Sequence, residues 1–135
     1  MAGYSGTPLP QKLGLKPNVV ARVVGAPMDY AELLGEIPGG VTLDGERDLD
    51  FVHLFVTVRQ DMSDQLRRLK DQIKPNGMIW VSWPKKAARI PTDITEDVIR
   101  EVALPMGLVD VKVAAVTEVW SGLKLVIRKE NRKPG

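Results

Sequence analysis

The sequence predicts an α/β fold with a mixed sheet, mostly parallel, that closes in an antiparallel hairpin. Three observations predict it. Pro and Gly punctuate blocks whose apolar residues switch between the period of a strand and that of a helix. Residues 51–57, a helical stripe and residues 78–83 follow one another as strand, helix, strand, a unit whose crossover is right-handed and whose strands are parallel. Residues 108–119 and 122–129 are β-prone and joined around Trp120, Ser121 and Gly122, a link short enough only for an antiparallel pair.

Each element has its own signals. Val19, Val20, Ala21, Arg22, Val23 and Val24 form a β-prone run, closed by the turn residues Gly25, Ala26 and Pro27. Asp29 is placed to cap a short helix through Leu34, with Gly35 as its stop. Pro38, Gly39 and Gly40 turn the chain into a short strand at Val41, Thr42 and Leu43. Residues 51–57 are apolar on both faces apart from His53, as a strand buried between two helix layers must be. Met62, Leu66, Leu69 and Ile73 recur as one face of a helix. Asp61 or Ser63 would cap that helix, Lys70 and Lys74 would complement its dipole, and Pro75, Asn76 and Gly77 would stop it. Asp93 and Glu96 have the spacing of a reciprocal capping pair before a helix carrying Val98 and Val102, which Pro105 and Gly107 end. The seven residues 44–50 are too few for a crossover helix, yet extended they span roughly 23 Å and return the chain to the other end of the sheet. Arg22, in the middle of a strand, requires an open face or a polar partner. Residues 1–130 are read as one domain and 131–135 as a basic flexible tail.

Composition excludes several functions. Nineteen Lys and Arg against 17 Asp and Glu leave a net charge of +2, which does not by itself argue for nucleic acid. With no Cys there is no disulfide framework, zinc ribbon or catalytic thiol, and a metal centre is not expected. No window approaches the roughly 20 apolar residues of a spanning helix. The start of the chain has neither a basic region followed by an apolar run nor the glycine that myristoylation requires. A cytoplasmic location without membrane contact is expected.

Three local sequences carry a resemblance. Residues 69–81 (LKDQIKPNGMIWV) resemble the helix, turn and strand of class I S-adenosylmethionine-dependent methyltransferases, a Rossmann-like fold. Asp50 to Phe55 resembles the preceding strand of that fold, and Gly107, Leu108, Val109 and Asp110 with the final hairpin resemble its antiparallel end. More closely, Tyr4 to Leu9, residues 50–57, Trp80 to Lys86, Thr95 to Val98 and Trp120 to Lys124 are similar to an uncharacterised family of small bacterial proteins, domain of unknown function 3052. The resemblance implies a truncated, degenerate methyltransferase scaffold. In that enzyme fold the first strand runs into a Gly-rich loop that lets the cofactor approach bare backbone. Here the segment Val23-Val24-Gly25-Ala26-Pro27-Met28-Asp29 keeps a single glycine, and Pro27 removes one N–H. Asp44 stands where the resemblance places the acidic residue that holds the ribose.

Open α/β sheets bind ligands outside the carboxyl ends of their strands. That rule makes Gly25, Ala26, Pro27, Thr57, Ser82, Trp83, Lys85 and Lys86, with Asp44, the candidate ligand-binding residues. Trp83 beside Lys85 and Lys86 would offer a stacking surface and two charges to a nucleotide, an acidic small molecule or a protein partner. The alternative is that Trp83 caps the core and the lysines are solvated. Trp80 and Trp83 point to opposite faces, and Tyr4 to Leu9 is expected near the same rim. His53 reads as a hydrogen-bonded core imidazole, and Ser5 and Ser121 lack the setting of a serine nucleophile. No catalytic residue is assigned and no cofactor is expected. The function expected is a non-catalytic binding or regulatory module. The alternatives are an S-adenosylmethionine-dependent methyltransferase with an atypical loop, and a nucleic-acid binder using the Trp83 and lysine rim, Arg89 and the C-terminal basic residues.

Overall fold

The computed structural model describes residues 7–132. Tyr4, Ser5, Gly6 and residues 133–135 of the tail, to which several expectations refer, lie outside the described residues. The elements run α1 (Leu9–Leu13), β1 (Ala21–Val24), α2 (Tyr30–Leu34), β2 (Leu49–Phe55), α3 (Arg59–Leu69), β3 (Ile73–Pro84), α4 (Glu96–Ala103), β4 (Leu108–Ala115) and β5 (Trp120–Ile127). They form one five-stranded sheet of order β1-β2-β3-β5-β4. The pairs β1–β2 and β2–β3 are parallel, while β5 runs antiparallel to both β3 and β4. The mixed α/β sheet with its antiparallel end is thus the one the sequence predicts.

Side-chain alternation along β2 sorts the core into two layers. Val52, Leu54 and Val56 face one side with Met62, Leu66 and Leu69 of α3 and Ile99, Val102 and Ala103 of α4. Phe51 and Phe55 face the other with Leu9 and Leu13 of α1 and Tyr30 and Leu34 of α2. Trp80 and Trp83, three residues apart, fall into opposite layers as expected. The Trp80 indole N–H donates to the Leu13 carbonyl at 2.8 Å, pinning α1 to the sheet.

Several local expectations are corrected. Helix α3 ends at Leu69, and Ile73, which continues the helical spacing, instead opens β3. Residues Pro75, Asn76 and Gly77 do not stop a helix; they lie inside β3, where the pairing with β2 shifts register between Leu49 and Phe51. Such an interruption is where a ladder tolerates a residue without an N–H. Lys74 therefore pairs not with a helix dipole but with Asp50, at 3.0 Å. Neither Asp61 nor Ser63 caps α3: the Arg59 N–H donates to Asp93 Oδ1 at 2.7 Å, a cap delivered from 34 residues away. Asp93 is consequently not the cap of α4, which starts on Thr95, whose hydroxyl accepts from the Val98 N–H at 3.2 Å. Asp29 occupies the cap position of α2 but makes no side-chain cap bond. Val41, Thr42 and Leu43 form no strand; Thr42 and Asp44 make isolated bridges to Val20 and Arg22 along the outer edge of β1. At the other end, Lys129–Asn131 forms a short 3-10 turn and Arg132 Nε donates to the Ile127 carbonyl at 2.9 Å. No helix among the described residues is long and apolar enough to cross a membrane.

Arg22 is explained by the same edge. It projects, like Val20 and Val24, on the α3 side of β1, and it is only half-buried. Its guanidinium donates to the Gly45 carbonyl at 2.7 Å, to Gln72 Oε1 at 2.6 Å and to the Glu46 carbonyl. One cation thus fastens the 41–46 segment to the end of α3. Arg22→Leu removes all three bonds at once and is expected to lower the unfolding free energy by about 1–3 kcal/mol in a urea titration, and Arg22→Lys, which lacks the planar fork, is expected to recover little of it.

Candidate functional site at the carboxyl edge of the sheet

The carboxyl ends of β1, β2 and β3 meet at one edge, where the chain's own packing closes part of the space. At the end of β1, Gly25 has φ +70°, and a Cβ placed on it would sit 2.7 Å from the carbonyl oxygen of Phe55. The turn after β1 is therefore pressed against the backbone end of β2, a contact open only to glycine. The Phe55 ring is buried beneath two edge-on aromatic neighbours, Tyr30 with centroids 5.5 Å apart and Trp120 at 5.0 Å. Tyr30 arrives because the turn after Gly25 is short and its own N–H donates to the Pro27 carbonyl, which starts α2 at once.

Beneath this aromatic lid lies His53, fully buried in the middle of β2. Its Nδ1 is 2.8 Å from the Tyr30 hydroxyl and its Nε2 is 2.7 Å from the Ser82 hydroxyl. A neutral imidazole has one donor and one acceptor, so the three groups form a directional chain: either Tyr30 donates to Nδ1 and Nε2–H donates to Ser82, or both bonds reverse. Burial pushes the imidazole pKa down to about 3 and raises that of the Tyr30 phenol, so both groups stay neutral near pH 7. The Ser82–His53 contact has the distance of a nucleophile and its base, but both side chains are fully buried. The outer partner is a phenol that cannot stabilise an imidazolium as a carboxylate does. Chemically the chain is a tie that joins α2, β2 and β3 through the core.

A second closure covers the gap between β2 and β3. The Thr92 hydroxyl donates to the Thr57 carbonyl at 2.6 Å, Asp93 caps α3, and Ile94 is buried in the same apolar cluster as Trp83. What remains open is a crevice of about 370 Å³ lined by Val24, Gly25, Thr57, Asp61, Asp64, Arg68 and Trp120.

Of the candidate residues, only Gly25 and Thr57 line that crevice. Ala26 is exposed and Pro27 half-buried on the turn beyond it. Ser82 is consumed by His53. Trp83 is 8% exposed within the layer covered by α3 and α4, so the stacking surface expected of it is not there. Its odd spacing from Trp80 sends it to the helix-covered face, and residues 92–94 close over that end. Lys85 and Lys86 lie on the next loop, where Lys85 N–H donates to the Val119 carbonyl, away from the crevice lining. Asp44 stands opposite Arg22 on the outer edge of β1, not at the carboxyl end of the strand. The residues that shape this edge without being singled out by sequence are Tyr30, Phe55, Trp120 and Thr92. The one available signal was His53, since a buried imidazole demands two polar partners.

The edge also gathers exposed apolar side chains. Met28, Val58, Ile90 and Val119, at 105%, 43%, 38% and 37% exposure, all stand on the loops that follow β1, β2 and β3 or join β4 to β5.

His53 makes stability depend on pH with a definite sign. Its folded pKa lies below its ordinary 6.5, so the unfolded chain binds the extra proton first as pH falls. The contribution is complete above pH 6.5 and drains away toward pH 3, by up to about 1.4 kcal/mol per pH unit. Urea midpoints measured between pH 7 and pH 5, before carboxylates titrate, are expected to fall on acidification, and a flat profile there would contradict a neutral buried ring.

The fold has well-matched counterparts among solved structures. A SAM dependent methyltransferase from Aquifex aeolicus is 17% identical with a TM-score of 0.59, each chain being covered to 87%. A putative type 11 methyltransferase from Sulfolobus solfataricus is 15% identical with a TM-score of 0.60, each covered to 93%. Magnesium protoporphyrin IX methyltransferase from Synechocystis, solved with bound SAM, is 13% identical with a TM-score of 0.55 over 88% of this chain and 74% of that one. At these identities the likeness shows the fold alone: a methyltransferase-like α/β sheet. No curated protein matches the sequence. Residues 40–129 match the family described as protein of unknown function (DUF3052), and the chain belongs to that family.

Proposed function

We propose that this chain is a non-catalytic binding or regulatory module on a methyltransferase-like scaffold. The observation that carries the reading is the contact of Gly25 with the Phe55 carbonyl, under the Tyr30 and Trp120 rings. In the enzymes the glycine after the first strand keeps backbone free for the cofactor; here its bare α-carbon is already occupied by the neighbouring strand. Asp44 stands beside Arg22, away from the crevice, so the pair of features that would hold an amino-acid end and a ribose is not assembled. The residues present do not fit S-adenosylmethionine.

What the edge offers instead suits a protein surface. The apolar side chains of Met28, Val58, Ile90 and Val119 stand on the same loops as Lys85, Lys86 and Arg89, none of which has a carboxylate within 4 Å among the described residues. An acidic partner with an apolar anchor matches that combination. The second reading, a methyltransferase with an atypical loop, is favoured by the likeness to a chain solved with bound SAM.

Thermal melting separates the two. A ligand bound only by the native state at a hundredfold excess over its Kd adds about 2.7 kcal/mol of stability. Saturating S-adenosylmethionine or S-adenosylhomocysteine is expected to leave the melting temperature unchanged; a rise of several degrees would restore the enzyme reading.

A further inference from the structure

We propose that a second site, at the amino end of β3 and independent of the carboxyl edge, binds a small amphipathic anion: an apolar body carrying one carboxylate, sulfonate or phosphate group. The end of α3, the start of β3, the turn before β4 and the chain after β5 line a half-open pocket of about 320 Å³ there, a size at the lower end of small-molecule sites. Its apolar lining is Pro75 with Ile73, Met106, Leu108 and Ile127, and the last four belong to or pack against the core layer under α3 and α4. Its polar rim is Lys70, Asp71, Asn131 and Arg132.

Two features make this more than a surface dent. Arg132 is a placed cation: the 3-10 turn Lys129–Asn131 brings the chain back, and Nε donates to the Ile127 carbonyl at 2.9 Å. That bond fixes the guanidinium plane and leaves the two terminal nitrogens as a fork, the geometry that accepts an oxyanion with little further ordering. The turn is itself locked by Gly107, whose φ is +87° and on which a Cβ would meet the Asn131 amide at 2.8 Å. Second, Lys70 lines the same cavity, and neither cation has a carboxylate within 4 Å among the described residues, although Asp71 lies on the same rim. Two cations with no carboxylate within 4 Å among the described residues, set over an apolar floor, favour a ligand with both characters; an inorganic ion leaves the floor unused, and a neutral hydrocarbon leaves the cations unpaired.

The test is a fluorescence titration of the full chain with anilinonaphthalene sulfonate, an apolar dye with one anionic group, against the uncharged N-phenylnaphthylamine. The sulfonate is expected to bind one to one, more tightly than the uncharged dye, and to weaken as salt is raised while the uncharged dye does not. Lys70→Gln with Arg132→Gln is expected to weaken the sulfonate by roughly tenfold, with the melting temperature held. Amide shifts in NMR spectra should move at Ile73, Gly107 and Leu108. Equal binding of the two dyes, equal binding by the double variant, no salt dependence, no binding, or shifts centred on Gly25 and Trp120 would each overturn the proposal. The salt comparison uses the unaltered chain, so it decides the matter even where the double variant fails to fold.

Discussion

The architecture of the carboxyl edge turns on the close approach of Gly25 to the carbonyl of Phe55. That approach fixes the direction in which the chain leaves β1, and with it the start of α2 at Tyr30. Tyr30 then does two things at once: its ring closes over Phe55, and its hydroxyl reaches His53. His53 passes the connection to Ser82 in β3, so two parallel strands and a helix are joined through one neutral polar chain inside an apolar core. A buried imidazole is tolerable only because both nitrogens are satisfied, and they are satisfied only while α2 stays where the Gly25 turn puts it.

The outer edge of the sheet follows a related logic. No helix follows β1 on the α3 side, and a β1 strand exposed there would present unpaired backbone to any passing strand. Residues 41–46 supply a partial substitute, bridging to Val20 and Arg22 with backbone bonds and held by the Arg22 guanidinium. At the opposite edge β4 carries a register shift between Asp110 and Lys112, and Val111 and Val113 remain exposed. A bulge and a charge on an edge strand both oppose further sheet growth. The scaffold therefore keeps the parallel centre of a methyltransferase-like sheet while reinforcing its margins by other means, and at its carboxyl edge a crevice stays open beside the Tyr30, Phe55 and Trp120 rings.

What was legible in the sequence was whatever is local. The β-branched run at β1, the stripe Met62, Leu66 and Leu69, and the apolar pattern of β2 and β3 are decided by residues a few positions apart, and each gave an element of the expected type, with β1 starting at Ala21, β2 spanning Leu49–Phe55 and β3 starting at Ile73. The errors came where a local signal competed with a distant partner. Ile73 continues a helical spacing but pairs with Leu49; Asp93 resembles a local cap but serves Arg59. Pro75 reads as a helix stop because nothing local reveals a register shift against β2. Strand direction alone defines the candidate edge, and Gly25 and Thr57 meet there. Its filling was not legible, because Tyr30, Phe55 and Trp120 come from three separate segments and only packing brings them together. Trp83 misled for the converse reason: its position at a strand end suggested exposure, while its parity assigned it to the covered face.

Two substitutions at Gly25 separate conformational demand from lack of space. Alanine disfavours a positive φ, whereas asparagine tolerates it, yet both add a Cβ toward the Phe55 carbonyl. If the edge is closed by this contact, Gly25→Ala and Gly25→Asn both lower the unfolding free energy measured in urea, each by roughly 2 kcal/mol or more. A Gly25→Asn chain as stable as the unaltered protein would mean that the turn has room to spare, and that the backbone at Gly25 is free where this account has the Phe55 carbonyl against it.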